Sequence, residues 1–170
     1  MILKLNPRDG AMLTAAATLP FRLNRILVPT DFSDCPMKAL LYALPLAKKH
    51  DAILTLLSVA PIPPYAIGEV SAAECTPICL HASAERELTS FAREVVGEEV
   101  KVETMARIGS PAAEIIEAAN ILPADLIVIA THGRGGLKRV WLGSVAEQVI
   151  RHSPCPVLVV RESQREFLVN

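Results

Sequence analysis

Aromatic residues make up 4% of this chain, and tryptophan occurs once, at Trp141. Platforms that stack unpaired bases need rings in number, so single-stranded nucleic acid is not an expected partner. A surplus of one charge is missing too. The formal net charge is -1 at pH 7, too little to attract a nucleic acid or an anionic membrane by bulk electrostatics. No apolar run approaches the roughly 20 residues that cross a bilayer. Four cysteines, Cys35, Cys75, Cys79 and Cys155, make no disulfide framework in 170 residues, and a reducing, cytoplasmic setting is expected. Cys75, Cys79 and His81 lie close in sequence, but without Cys-x2-Cys spacing or a second ligand pair, so no metal site is expected.

What is present is apolar: 51% of the residues are hydrophobic, enough for one domain with a substantial core. Residues 1–24 read as an N-terminal extension. Lys4 and Arg8 precede a mild apolar run, but Thr14 and Thr18 interrupt it, and nothing downstream needs an oxidising compartment. The domain is expected over 25–161, with 162–170 as a C-terminal tail.

From Arg25 the pattern alternates. Ile26, Leu27 and Val28 form a short apolar strand, and Pro29-Thr30-Asp31-Phe32-Ser33 turns into a helix capped by Ser33 or Asp34. Met37, Leu40, Leu41 and Leu44 fall at helical spacing and predict its buried stripe. Pro45 is expected to kink that helix or end its regular part. Residues 52–59 read as a second strand, and 61–77, rich in proline, as a long irregular loop. A helix follows over about 81–96, with Leu88, Phe91, Ala92 and Val95 inward. Residues 99–108 alternate apolar and charged side chains, which predicts a half-exposed strand at a sheet edge. Ser110 and Pro111 open another helix, with Ala112, Ile115, Ile116 and Ala119 as its stripe.

The chain is organised around what comes next. An apolar strand ends at Ala130, a loop follows with Thr131, His132, Gly133, Arg134, Gly135, Gly136, Lys138 and Arg139, a helix opens at Gly143-Ser144, and Pro156 to Val160 is a last apolar strand. Glycines let backbone N–H groups approach an anion, and a helix N-terminus adds free N–H groups and a partial positive charge, so strand, loop and helix together form a candidate phosphate site. Such a loop also turns and stays soluble without any ligand.

Strands alternating with helices predict an α/β, Rossmann-like fold, a five-stranded, mostly parallel sheet with helices on both faces, and the order expected for it is 3-2-1-4-5. That order makes strands 1 and 4 neighbours, so Asp31 and the glycine-rich loop would face one crevice. A nucleotide fits the pair. The loop and the Gly143-Ser144 helix end would take phosphates, Asp31 would accept from ribose hydroxyls or hold the water of a metal ion, and Val59 would pack against the base. A turn-forming or capping role is the alternative for Asp31.

Val-Pro-Thr-Asp-Phe-Ser at 28–33, Ile-Gly-Ser-Pro-Ala-Ala-Glu-Ile-Ile at 108–116, Thr-His-Gly-Arg-Gly-Gly-Leu at 131–137, Leu-Gly-Ser-Val-Ala-Glu at 142–147 and Cys-Pro-Val-Leu-Val-Val at 155–160 together resemble the universal stress protein family. The resemblance spans about 25–161 and implies a fold of the adenine nucleotide alpha hydrolase-like kind. It implies a role in stress response and homodimers, often joined through the last strand.

One branch of that family binds ATP through Gly-x2-Gly-x9-Gly-Ser/Thr. Gly133 and Gly143-Ser144 match the later elements, while Ala130 stands where the first glycine would be. By resemblance Pro29, Thr30, Asp31 and Val59 would surround adenosine, and Gly133, Arg134, Gly143, Ser144 and Val145 would hold phosphates. The ligand implied is ATP, with or without magnesium, or cyclic AMP or another adenine nucleotide. Another branch lacks nucleotide and works as a dimeric adaptor, which is the alternative function here. Catalysis beyond slow ATP hydrolysis is not expected: His132 is the nearby candidate base, and there is no Walker-type Gly-Lys-Ser/Thr to hold magnesium. Val157 to Val160 would form an uncovered apolar edge, which invites pairing with a second copy unless the N-terminal extension covers it.

Overall fold

The computed structural model describes residues 22–61, 77–96, 99–131 and 142–161. Within them nine elements alternate: β1 (Arg25–Thr30), α1 (Asp34–His50), β2 (Ile53–Ala60), α2 (Pro77–Val95), β3 (Val102–Ile108), α3 (Pro111–Ile121), β4 (Leu126–Ala130), α4 (Ser144–His152) and β5 (Val157–Val160). The five strands are parallel and lie in the order β3-β2-β1-β4-β5. This is the expected sheet. Apolar β1, β2 and β4 lie inside, and β3, whose Glu103 and Thr104 are exposed, lies at one edge.

Successive strand residues point to opposite faces, and two cores follow. Ile26, Val28, Leu54, Leu56, Val128 and Ala130 meet Ala39, Leu40, Ala43 and Ala47 of α1 and Leu88 of α2 on one face. Leu27, Leu57, Ile127 and Ile129 meet Ala112, Ile115, Ala118 and Ala119 of α3 and Ala146 and Val149 of α4 on the other. At the opposite end of the sheet from the crevice, the Asp125 carboxylate accepts hydrogen bonds from the backbone N–H groups of Asn24 (2.6 Å) and Arg25 (2.9 Å).

Two local details differ from expectation, and a third decides between two alternatives. The buried stripe of α1 centres on Leu40 and the alanines at 39, 43 and 47, while Leu41 is 41% exposed. Small residues let the helix axis sit close to the sheet, and that turns Leu41 outward. The helix continues past Pro45 to His50, so of the two alternatives the proline does not end it. Proline deprives the Leu41 carbonyl of its donor, but Pro45 and Leu41 are both exposed, so water can take the place of the missing N–H. Finally, α2 begins at Pro77, four residues before His81, because a proline in a first turn costs no hydrogen bond there. Most of the 61–77 loop, 62–76, lies outside the described residues, as do 1–21 and 162–170. Among the described residues, no helix is long and apolar enough to cross a membrane.

Candidate functional site

β1 and β4 are hydrogen-bonded neighbours. After β1 the chain passes to α1 on one face, and after β4 it passes to α4 on the other. The carboxyl ends of these two strands therefore border the crevice at the switch point of the sheet, the general ligand position in open α/β sheets. Pro29 and Thr30 close β1 beside Leu57 and Ser58 of β2. Val59 follows on β2, partly buried against the second core.

The turn after β1 is held by side chains. The Phe32 N–H donates to Oγ1 of the buried Thr30 at 3.1 Å. Oδ1 of Asp31 accepts twice from Ser33, from its N–H at 3.1 Å and from its hydroxyl at 2.6 Å. Asp31 is thus the turn-forming aspartate of the alternative reading, and the same bonds fix the direction of its carboxylate. Ser33 is the N-cap of α1 but makes no side-chain capping bond, since its hydroxyl is turned back to Asp31. Leaving a cap unmade forgoes about 1 kcal/mol. Phe32 adds a second local cost: its φ is 62°, a left-handed conformation that opposes a bulky side chain by about 1 kcal/mol or more. Its ring meets that of Phe91 on α2 edge to face, with centroids 5.5 Å apart and planes at 78°.

The end of β4 is tied on two sides. Thr131, 2% exposed, donates its N–H to the Val160 carbonyl on β5 at 2.9 Å and accepts from the Gly143 N–H at 2.8 Å. Gly143 is the N-cap of α4, with φ -68° and ψ 152°, and its carbonyl accepts from the Glu147 N–H at 2.9 Å. The helix start is therefore drawn back onto the strand end. The N–H groups of Ser144, Val145 and Ala146 belong to the first helical turn, where the helix itself offers no acceptor. Gly143 differs from expectation in one respect: its own N–H is taken up by Thr131.

Ala130 is paired with Val160 inside β4, and its side chain lies in the first core. Positive φ among non-glycine described residues is confined to Phe32 and Asp51, so Ala130 has an ordinary extended backbone that alanine adopts freely. His132, Gly133, Arg134 and Trp141 lie outside the described residues. So does Cys75, and with it the Cys75, Cys79 and His81 grouping.

Two residues of this region carried no signal at the level of sequence. Nothing in Thr-Asp-Phe-Ser marks the phenylalanine as left-handed, and the double tie at Thr131 depends on where α4 returns. At the carboxyl end of the edge strand, Gly109 follows β3 with φ 154°, and its N–H donates to the Ala60 carbonyl at 3.0 Å. Arg107 pairs with Glu114 at 2.9 Å and Glu117 at 3.4 Å on α3, which holds the start of α3 against the strand end.

A parallel sheet of this order, with the carboxyl ends of β1 and β4 at its switch point, defines an open α/β domain of the doubly wound class. Comparison with known proteins is more specific. Residues 22–161 match the model of the universal stress protein family, and the chain belongs to that family. A universal stress protein of Methanocaldococcus jannaschii is 36% identical over 143 residues, covering 84% of each chain. The structure of universal stress protein UspA from Lactobacillus plantarum superposes with a TM-score of 0.67 at 29% identity, covering 84% of this chain and all of that one. A universal stress protein solved in complex with cyclic AMP shares the fold, with a TM-score of 0.59 at 24% identity over 84% of this chain and all of its own.

Proposed function

We propose that this universal stress protein binds an adenine nucleotide, ATP above all, in the crevice between β1 and β4, and that it acts in stress response as a homodimer whose state the nucleotide controls. The observation that carries the reading is the return of α4 to the strand end: Gly143 donates to Thr131 at 2.8 Å, so the N-terminus of α4 starts at the mouth of the crevice. The donors and acceptors present fit the ligand. The first-turn N–H groups of α4 suit phosphate oxygens, and the Asp31 carboxylate, held by Ser33, suits ribose hydroxyls. Val59 supplies apolar surface for the base. Ala130 does not oppose the ligand through its backbone, because its methyl group lies in the core. The cyclic AMP complex illustrates that a protein of this fold holds an adenine nucleotide. Gly133 and Arg134 would complete the phosphate contacts, and His132 would lie beside them.

Mass spectrometry of the supernatant from denatured purified protein, paired with calorimetric titration of ATP and magnesium, tests this. Adenine nucleotide in the supernatant, with ATP affinity reduced at least tenfold in Gly143→Val, is the expected result. Valine is compatible with φ -68°, so that loss would report crowding at the helix start rather than backbone strain. No nucleotide released and no binding at millimolar ATP would overturn the reading in favour of the nucleotide-free dimeric adaptor.

A further inference from the structure

Two unfavourable local features follow Asp31 directly. Phe32 holds φ at 62°, and Ser33 leaves α1 without a side-chain cap. Both serve one arrangement, in which Oδ1 of Asp31 accepts from the N–H and the hydroxyl of Ser33. Were Phe32 to relax to negative φ, the following peptide would rotate and carry the Ser33 N–H away from the carboxylate. Thr30 holds one side of Phe32 through its N–H. The ring holds the other, edge to face on Phe91 of α2, and α2 is fastened to the sheet by the fully buried Leu88. The strained residue is therefore fixed by a helix that is distant in sequence and packs on β2 and β3.

We propose that the Phe32–Phe91 contact positions the Asp31 carboxylate for the ribose, so that Phe32 and Phe91 are positioning residues and the seating of α2 sets how well the crevice distinguishes ribose from deoxyribose. The ligand in this inference rests on the nucleotide reading above, while the mechanics rest on the turn alone. Displacing α2 would free Phe32, loosen the Ser33 bracket and blur recognition of the 2′ and 3′ hydroxyls, with no direct contact between α2 and the nucleotide.

The test combines amide hydrogen exchange at Ser33, followed by NMR in the ligand-free protein, with titrations of ATP and 2′-deoxy-ATP. Three variants are compared with the wild type: Phe91→Ala, the volume-conserving Phe91→Leu, and Phe91→Ala combined with Phe32→Gly. Phe91→Ala is expected to speed Ser33 exchange at least tenfold while Val28 in β1 is unchanged, and to lower the preference for ATP over 2′-deoxy-ATP at least threefold. Phe91→Leu is expected to move both readouts in the same direction by less, and it serves if the alanine variant fails to fold. The double variant should recover both, because glycine takes φ 62° without an anchoring ring. A role confined to core packing predicts the opposite, since removing a second ring would worsen it. Unchanged Ser33 exchange in the Phe91 variants, an unchanged nucleotide preference in a protein that binds ATP, or no recovery in the double variant would overturn the proposal. If the wild type binds neither nucleotide while the exchange pattern holds, the site reading fails and the positioning of the turn stands.

Discussion

At the scale of single residues, Ala130 and Gly109 are opposites. Ala130 replaces a glycine of the family's ATP pattern, yet its backbone is extended and its methyl group is in the core. Ala130→Gly should leave ATP affinity within about threefold and lower stability by about 1 kcal/mol, through the lost buried methyl and the greater freedom of the unfolded chain. Calorimetry and urea unfolding measure the two effects. Gly109, by contrast, has φ 154°, and a Cβ there would lie 2.7 Å from Oε1 of Glu114, whose carboxylate Arg107 holds. Gly109→Ala should destabilise by about 1–3 kcal/mol in the same urea assay. Cys155 offers a pH handle. Burial pushes its thiol above the ordinary value, and the Ser153 hydroxyl opposes that in part. A raised value favours the neutral thiol in the folded state, so its contribution is complete below the thiol's unfolded value and is lost as pH rises through the folded one. Unfolding free energy between pH 8 and 10, taken as about the range of thiol ionisation, should fall more steeply for the wild type than for Cys155→Ala.

At the scale of elements, α1 carries a defect that can be removed. Pro45 is exposed and interrupts a helix that continues to His50, so Pro45→Ala should restore one backbone hydrogen bond and stabilise by about 1 kcal/mol or more, read from the urea midpoint. The elements themselves were largely legible in the sequence. Strand and helix periods differ, the apolar runs at 26–28 and 126–130 marked central strands, and Ser110-Pro111 marked a helix start. What was not legible depended on contacts between elements. Periodicity put Leu41 in the stripe of α1 because leucine is more hydrophobic than alanine, whereas close approach to the sheet selected Ala39, Ala43 and Ala47. For the site, alternation gave the parallel sheet, and the expected order 3-2-1-4-5, which the sheet has, makes the strands that precede Asp31 and the glycine-rich loop neighbours. Neither could reveal that Phe32 is left-handed or that Thr131 takes up the Gly143 N–H, because both follow from how distant segments close on each other.

At the scale of the whole molecule, β5 is an outer strand of the sheet, and its hydrogen bonds show which groups face outward. Ile127 donates to the Pro156 carbonyl and Thr131 to the Val160 carbonyl, so the even-numbered residues of this segment point to β4 and Val157 and Val159 present their N–H and C=O groups away from it. Pairing with a second copy would use those groups. Val159→Pro should therefore abolish the proposed dimer, seen as a fall to monomer mass in sedimentation velocity, while changing monomer stability by no more than about 1 kcal/mol, because the lost donor faces outward.

The double tie at Thr131 has a further consequence, for engineering. Gly143 and Thr131, the described residues on either side of 132–142, meet through a hydrogen bond of 2.8 Å, so both attachment points lie together at the end of β4. Because lengthening a closed loop adds little entropic penalty, about 0.6 kcal/mol per doubling, peptides could be grafted there at varied length without moving the sheet. The scaffold would present an inserted sequence from fixed ends, as a display frame does.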